Sequence, residues 1–184
     1  MTQTAQSIPP LVTVERLEEF KGSDMDDLCD ATETTMEDGL GFSIGFKQLT
    51  TPSRERLEHY WKGVLLVPER ELYIGRLDSV IAASVQLVKP AKSNQAQSFA
   101  VHAREHFVAP WARGHGLAKY LLGAVEDSAR TQGFKILKLE VRASQDGAIA
   151  LYENLGYKKW GVLDKYEMVD GKYAAGYFYY KDLV

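Results

Sequence analysis

Arg113-Gly114-His115-Gly116 stands directly before Leu117, the first residue of an apolar stripe at helical spacing, so a cation and two bare backbone positions meet a helix start. The unpaired N–H groups of a first helical turn point one way, and glycine lets an anion approach them with no Cβ between. The stretch reads as a cradle for phosphate, with Arg113 adding positive charge. For an isolated pair of glycines, a plain strand-to-helix turn is the simpler reading. The spacing matches neither the GxGxxG of dinucleotide sites nor the GxxxxGK[ST] of nucleoside triphosphate sites. Other chemistry is sparse. Cys29 is the one cysteine, which excludes an intramolecular disulfide and a multi-cysteine metal site. The histidines stand at 59, 102, 106 and 115, and His102 and His106 lie in a strand-like stretch without an HExxH pattern. No metal centre is expected.

The elements that must position the cradle follow from periodicity. LVTVERL alternates as a strand after a loose start. Ser23 is a candidate N-cap for an acidic helix carrying Met25, Leu28, Cys29 and Met36, and Gly39, Gly41 and Gly45 then break the pattern. Thr51-Pro52 is read as the start of a second helix, with Leu57, Tyr60, Trp61 and Val64 on one face. LYIGRL and VIAASVQLV, separated by Asp78-Ser79, form a hairpin. KPAKSNQAQS is a surface loop, and FAVHAREHFVAP is a strand closed by Pro110. Leu117, Leu121, Ala124, Val125 and Ala129 form the stripe of the helix after the cradle, ended by Gly133. FKILKLEVRA alternates as a strand, DGAIALYENLGY is a short helix, and KKWGVL and AGYFYYKDL are two last strands joined through Asp170-Gly171. The order is that of an α/β chain around a mixed sheet. With no composition shift and no repeat, residues 1–10 are read as a flexible tail and 11–184 as a single domain.

Two segments together resemble a known family. Arg113-Gly114-His115-Gly116-Leu117-Ala118 fits the R/Q-x-x-G-x-G/A signature of GNAT-type N-acetyltransferases, with Val108-Ala109-Pro110 where that family has V-x-P. VRASQDGAIALYENLGY is similar to the same family's strand and helix ending in A-I-x-L-Y-E-x-x-G-F/Y. The resemblance implies a mostly antiparallel sheet flanked by helices, with a splayed central strand pair. It implies acetyl-CoA as cofactor, its pyrophosphate on Arg113, Gly114, His115, Gly116, Leu117 and Ala118, and its pantetheine arm along Phe107 and Val108. Where relatives have an asparagine contacting the pantetheine, this chain has Gln145, whose amide reaches one carbon further. His115 and Lys119 could touch phosphate or serve only the surface.

Acetyl transfer to an amine requires a base for the ammonium and an acid for the departing thiolate. The resemblance places Tyr152 as the acid. A phenol with pKa about 10 donates without being ionised at neutral pH, although Tyr152 also fits a core position beside Ile149 and Leu155. For the base, relatives have a glutamate where this chain has His102; Glu105 on the same strand and water alone are the alternatives. The family usually transfers directly, and no GxSxG elbow offers a covalent nucleophile here.

The formal net charge of −3 argues against a nucleic-acid-coating role. No signal-like start or membrane-length apolar run is present, so a cytoplasmic, membrane-free protein is expected. The loop DGLGFSIGF with Tyr60 and Trp61 is expected to form one wall of the acceptor site, and Tyr166, Tyr173 and Tyr177 the other. The C-terminal pattern resembles the branch that acetylates small toxins such as tabtoxin, which implies a small-molecule amine acceptor. Acetylation of protein N-termini or lysines and a non-catalytic acyl-CoA-binding module are the competing readings. The aromatic C-terminal strands could also pair two copies into a homodimer.

Overall fold

Asp78 and Ser79 both adopt positive φ, 49° and 75°, the geometry that a two-residue hairpin needs to match the twist of its strands. They join β2 (Arg70–Leu77) to β3 (Val80–Val88) in the computed structural model, which describes residues 9–39, 44, 51–169 and 171–184. The remaining elements are β1 (Val12–Leu17), α1 (Asp24–Glu37), α2 (Arg54–Leu66), β4 (Ala100–Val108), α3 (Leu117–Thr131), β5 (Ile136–Arg142), α4 (Asp146–Asn154), β6 (Lys158–Val169) and β7 (Lys172–Asp182). The sheet order is β1-β2-β3-β4-β5-β7-β6, and β4 with β5 is its parallel pair. This is the α/β, mostly antiparallel arrangement that the resemblance implied.

Strand alternation divides the core into two. Leu72 and Ile74 of β2 bury against Leu28, Leu57 and Trp61 of α1 and α2, whereas Tyr73 between them joins Leu117, Leu121 and Val125 of α3. Each sheet face is therefore covered by helix. Trp61 anchors the α1–α2 side, fully buried, with its indole N–H donating to Thr32 Oγ1 at 3.2 Å.

Helix starts differ in detail from the sequence reading. α2 is capped by Ser53, whose hydroxyl accepts from the Arg56 N–H, so Thr51-Pro52 precedes the cap. Ser23 does not cap α1 with its side chain; its hydroxyl donates to Asp27, and the Asp24 carboxylate accepts from the Lys21 N–H. Both shifts are local competitions between neighbouring polar groups. Residues 1–8, 40–43, 45–50 and Asp170 lie outside the described residues, and with them most of the expected tail and most of the loop DGLGFSIGF, Gly41 and Gly45 included.

Candidate active site

β4 and β5 run together only briefly. Their register covers Ala100 with Ile136 to His102 with Lys138, and from there the strands part, although β4 continues to Val108 and β5 to Arg142. Where they part, β4 also bulges. Ser84 pairs with Phe107 and Gln86 with Arg104, so Glu105 and His106 together oppose Val85. Glu105 sits at φ 51°, which is uncommon for a residue with a side chain. The extra residue changes the side to which β4 points: Val101 and Ala103 belong to the α3 core, but Phe107 and Ala109 belong to the α1–α2 core.

Two cavities open at this divergence. One, of about 570 Å³, is lined by Phe107 and Val108 of β4, the Arg113–Lys119 turn without His115, Gln145, Gly147 and Leu151 of the α4 region, and Thr35 and Asp38 at the end of α1. Gly114 and Gly116 take φ 85° and 81° beside it, a backbone disfavoured for any residue with a Cβ. Gly116 is the N-cap of α3 and carries no side-chain cap, and Tyr120 N is the first amide to find a carbonyl, that of Gly116. The preceding first-turn amides are left for a ligand. Arg113 is held by an ion pair to Asp38 and donates through Nε to the Val108 carbonyl. A bare turn, a helix N-terminus and a guanidinium fit an organic diphosphate.

The second cavity, about 250 Å³, is lined by Arg104, Glu105, Glu140, Arg142, Tyr166 and Glu167 among others. Arg104 pairs with Glu140 at 2.7 Å and Arg142 pairs with Glu167. Two guanidiniums face three carboxylates, and the net charge of the lining is negative when Glu105, the carboxylate outside those pairs, is ionised. Burial pushes the Glu105 carboxyl up to about 7, against the opposing pull of Arg104 and Arg70. Tyr166 reaches the cavity because β6 carries an irregularity between Leu163 and Glu167 opposite Gly176 and Ala174. A Cβ on Gly176 would overlap the Tyr166 ring. Gly176→Ala is therefore expected to push the Tyr166 ring out of its place in this cavity and to lower the melting temperature, as a structure of the variant and a thermal melt would register.

His106, Gln145 and Tyr152 line both cavities. Tyr152 is 4% exposed, packed between Tyr157, Tyr179 and His106. Burial alone raises its pKa, so the phenol stays protonated.

The family model for the acetyltransferase (GNAT) family matches residues 33–157, which holds most of this site. The chain belongs to the GNAT acetyltransferase family. An N-acetyltransferase of Azospirillum brasilense encoded in its hisH-hisA intergenic region is 54% identical over 134 residues, 73% of this chain and 77% of that protein. The [ribosomal protein bS18]-alanine N-acetyltransferase of Salmonella typhimurium is 42% identical over 59 residues, 32% of this chain and 40% of that protein. Among solved structures, yncA from Salmonella typhimurium with its cofactor acetyl-CoA superposes with a TM-score of 0.72 at 14% identity, over 94% of each chain. The chain is thus an acyltransferase with the GNAT fold.

In this GNAT acetyltransferase, Phe107, Val108, Arg113, Gly114, Gly116, Leu117, Ala118 and Gln145 line the larger cavity, and Lys119 joins them. His115 does not, because its Nδ1 donates to the Ala112 carbonyl at 3.2 Å and holds the ring against the turn. Glu105 and Tyr152 share the smaller cavity, whereas His102 lines neither. His102 sits where β4 and β5 are still paired, between Val88 and Lys138, before the strands part. Burial, with Arg104 and Lys138 nearby, pushes its pKa down to about 4. Of the expected aromatic walls, Tyr166 reaches the smaller cavity. Trp61 is core, Tyr173 is exposed with Lys165 over its ring, and Tyr177 lies under Lys159. Tyr60 lines a separate groove on α2, but burial and the charge of Glu105 raise its pKa to about 12, which places it within electrostatic reach of Glu105. The residue that sequence reasoning missed is His106. The sequence reading considers it only with His102 as a metal pair and rejects that pair, and no sequence signal discloses the bulge that brings it to Tyr152.

Among the described residues no group of side chains could hold a metal ion, and no helix is long and apolar enough to cross a membrane.

Proposed function

We propose that this chain N-acetylates the primary amine of a small molecule, with acetyl-CoA as the donor substrate. The single observation that carries the reading is the meeting of two cavities at Tyr152, one cradle-lined and one charged. The amides of the first turn of α3, with Arg113 and Lys119, hold the diphosphate. β5 pairs with β4 only as far as His102, and the β4 backbone beyond it is where the pantetheine arm would run, with the Gln145 amide lining the same cavity. When bound, acetyl-CoA supplies an activated acyl group and a thiol leaving group.

Glu105 acts as the base. A carboxyl titrating near neutrality can take a proton from an ammonium and release it again at the same pH. Its ionised form also gives the smaller cavity its net negative charge, which favours a cation, and the size of about 250 Å³ suits a compact amine head. Tyr152 meets the sulfur as a neutral donor. His102, outside both cavities, is not assigned a role.

The test is calorimetric titration with acetyl-CoA, desulfo-CoA and ATP, followed by thiol-release assays over α-amino acids, monoamines and diamines. Micromolar binding of both CoA ligands, much weaker ATP binding and turnover with a small amine are expected. No binding at millimolar acetyl-CoA would reduce the Arg113–Ala118 stretch to a turn. The similarity to a ribosomal-protein alanine N-acetyltransferase supports a second reading, transfer to a peptide N-terminus. Turnover of an alanine-terminated peptide in preference to every small amine would select it.

A further inference from the structure

The hydroxyl hydrogen of Tyr152 is already engaged before any substrate arrives. His106 Nε2 lies 3.2 Å from the Ala118 carbonyl, which can only accept, so Nε2 carries the ring hydrogen. Burial pushes the His106 pKa down to about 4, so the ring is neutral near pH 7 and Nδ1 presents a lone pair. Nδ1 is 3.0 Å from Tyr152 Oη. Tyr152 therefore donates to His106, and its own oxygen lone pairs are left for the contents of the two cavities that it lines.

Proton accounting shows what such a pair is for. An ammonium, R–NH3+, that becomes an acetamide loses two protons, and the departing thiolate gains one. One proton must leave to solvent, and one must pass from nitrogen to sulfur. Glu105 suits the first, since it titrates near neutrality. The second has a short path, because during transfer nitrogen and sulfur are bonded to the same carbonyl carbon and one hydroxyl can reach both.

Resting on the acetyl-transfer reading above, we propose that Tyr152 and His106 hold this second proton between them. Tyr152 Oη accepts the proton from the amine nitrogen as its own hydrogen passes to His106 Nδ1; as the C–S bond breaks, His106 returns that hydrogen to Tyr152 Oη and Tyr152 gives its proton to the sulfur. The new C–N bond and the broken C–S bond balance, and the pair returns to its starting state. His106 touches no reacting atom and acts through Tyr152. A ring that begins neutral has room for the proton, and a desolvated imidazolium gives it back readily.

His106→Asn separates this role from mere positioning. The asparagine amide oxygen takes the place of Nδ1 as an acceptor for the Tyr152 hydroxyl but does not hold a proton. With the best amine of the panel, His106→Asn is expected to lower kcat about 100-fold, while the KM values and the calorimetric acetyl-CoA affinity stay within about twofold of wild type. Tyr152→Phe should lose as much, and the double variant no more than either. An Asn variant with near-wild-type kcat, or a double variant whose loss is the product of the two single losses, overturns the proposal. A second readout needs no turnover. Imidazole 15N spectra of the ligand-free protein should show His106 protonated at Nε2 only, with its Nδ1 signal moved by Tyr152→Phe. The opposite tautomer overturns the proposal whatever the kinetics. A wild-type protein that binds acetyl-CoA but acetylates no amine rejects the parent reading and this one with it, whereas an active wild type with an active Asn variant rejects this one alone.

Discussion

Gly116→Glu is expected to abolish acetyl-CoA binding while leaving the chain folded. Gly116 caps α3 at φ 81°, and a Cβ there would meet Tyr120 Cε2 at 3.0 Å, the ring of an exposed side chain that can swing away. The left-handed backbone costs a substituted residue roughly 1–2 kcal/mol, which lowers the melting temperature but does not unfold a domain of this size. The carboxylate would stand among the first-turn amides of α3 and repel the diphosphate they are aligned to receive. Gly116→Ala carries the same backbone cost without the charge; that cost is shared by the free and bound protein, so binding should stay within about tenfold of wild type. Calorimetry decides the matter: heat for the alanine variant and none for the glutamate variant at millimolar ligand is the expected pair. Equal affinities in both would remove the cradle from the cofactor site.

Glu105→Gln is expected to lower kcat by two or more orders of magnitude, on the usual scale of general-base catalysis. The pH dependence carries the finer test. A base with its pKa near 7 is mostly protonated and idle below that pH, so the wild-type rate should rise through about pH 7 and level off above it. The glutamine variant should lack this rise. Stability should move the other way. A carboxyl whose folded pKa lies above its unfolded value binds more protons in the folded state, so its contribution to stability is intact below the unfolded pKa and is lost as pH rises through about 7. The full loss is on the order of 3 kcal/mol. A neutral amide does not titrate, so Glu105→Gln should melt higher than wild type at pH 8 and near it at pH 4. An unaltered pH–rate profile in the variant would transfer the role to water or to another group.

The element order could be read from the chain because each helix and strand carries its own period, as in the α3 stripe Leu117, Leu121, Val125 and Ala129, all buried in the structure. The cradle was legible for a different reason: glycine at two nearby positions reports a backbone that no other residue adopts easily, and both take positive φ. The centre of the site was not legible. Val101, Ala103, Phe107 and Ala109 are all odd-numbered and all buried, so a period of two assigns them one face, with Glu105 as a single polar interruption. The bulge at Glu105 and His106 instead hands the odd positions from one core to the other. Period-2 reasoning assumes one residue opposite one, so it does not reveal that Glu105 lines a cavity while His102, which the resemblance puts first, lines neither. His106 became visible only when α3 and α4 packed against the bulge and supplied the Ala118 carbonyl and the Tyr152 hydroxyl.

The ion pair between Arg113 and Asp38 makes the cradle a selective one. A guanidinium that already faces a carboxylate is poorly attracted to chloride or to a free amino acid's single carboxylate, because each offers no more charge than Asp38 does. A diphosphate offers more charge and also satisfies the first-turn amides of α3. Common monovalent anions should therefore be weak competitors, and the site should remain open to its scarcer ligand in the salt mixture of a living cell.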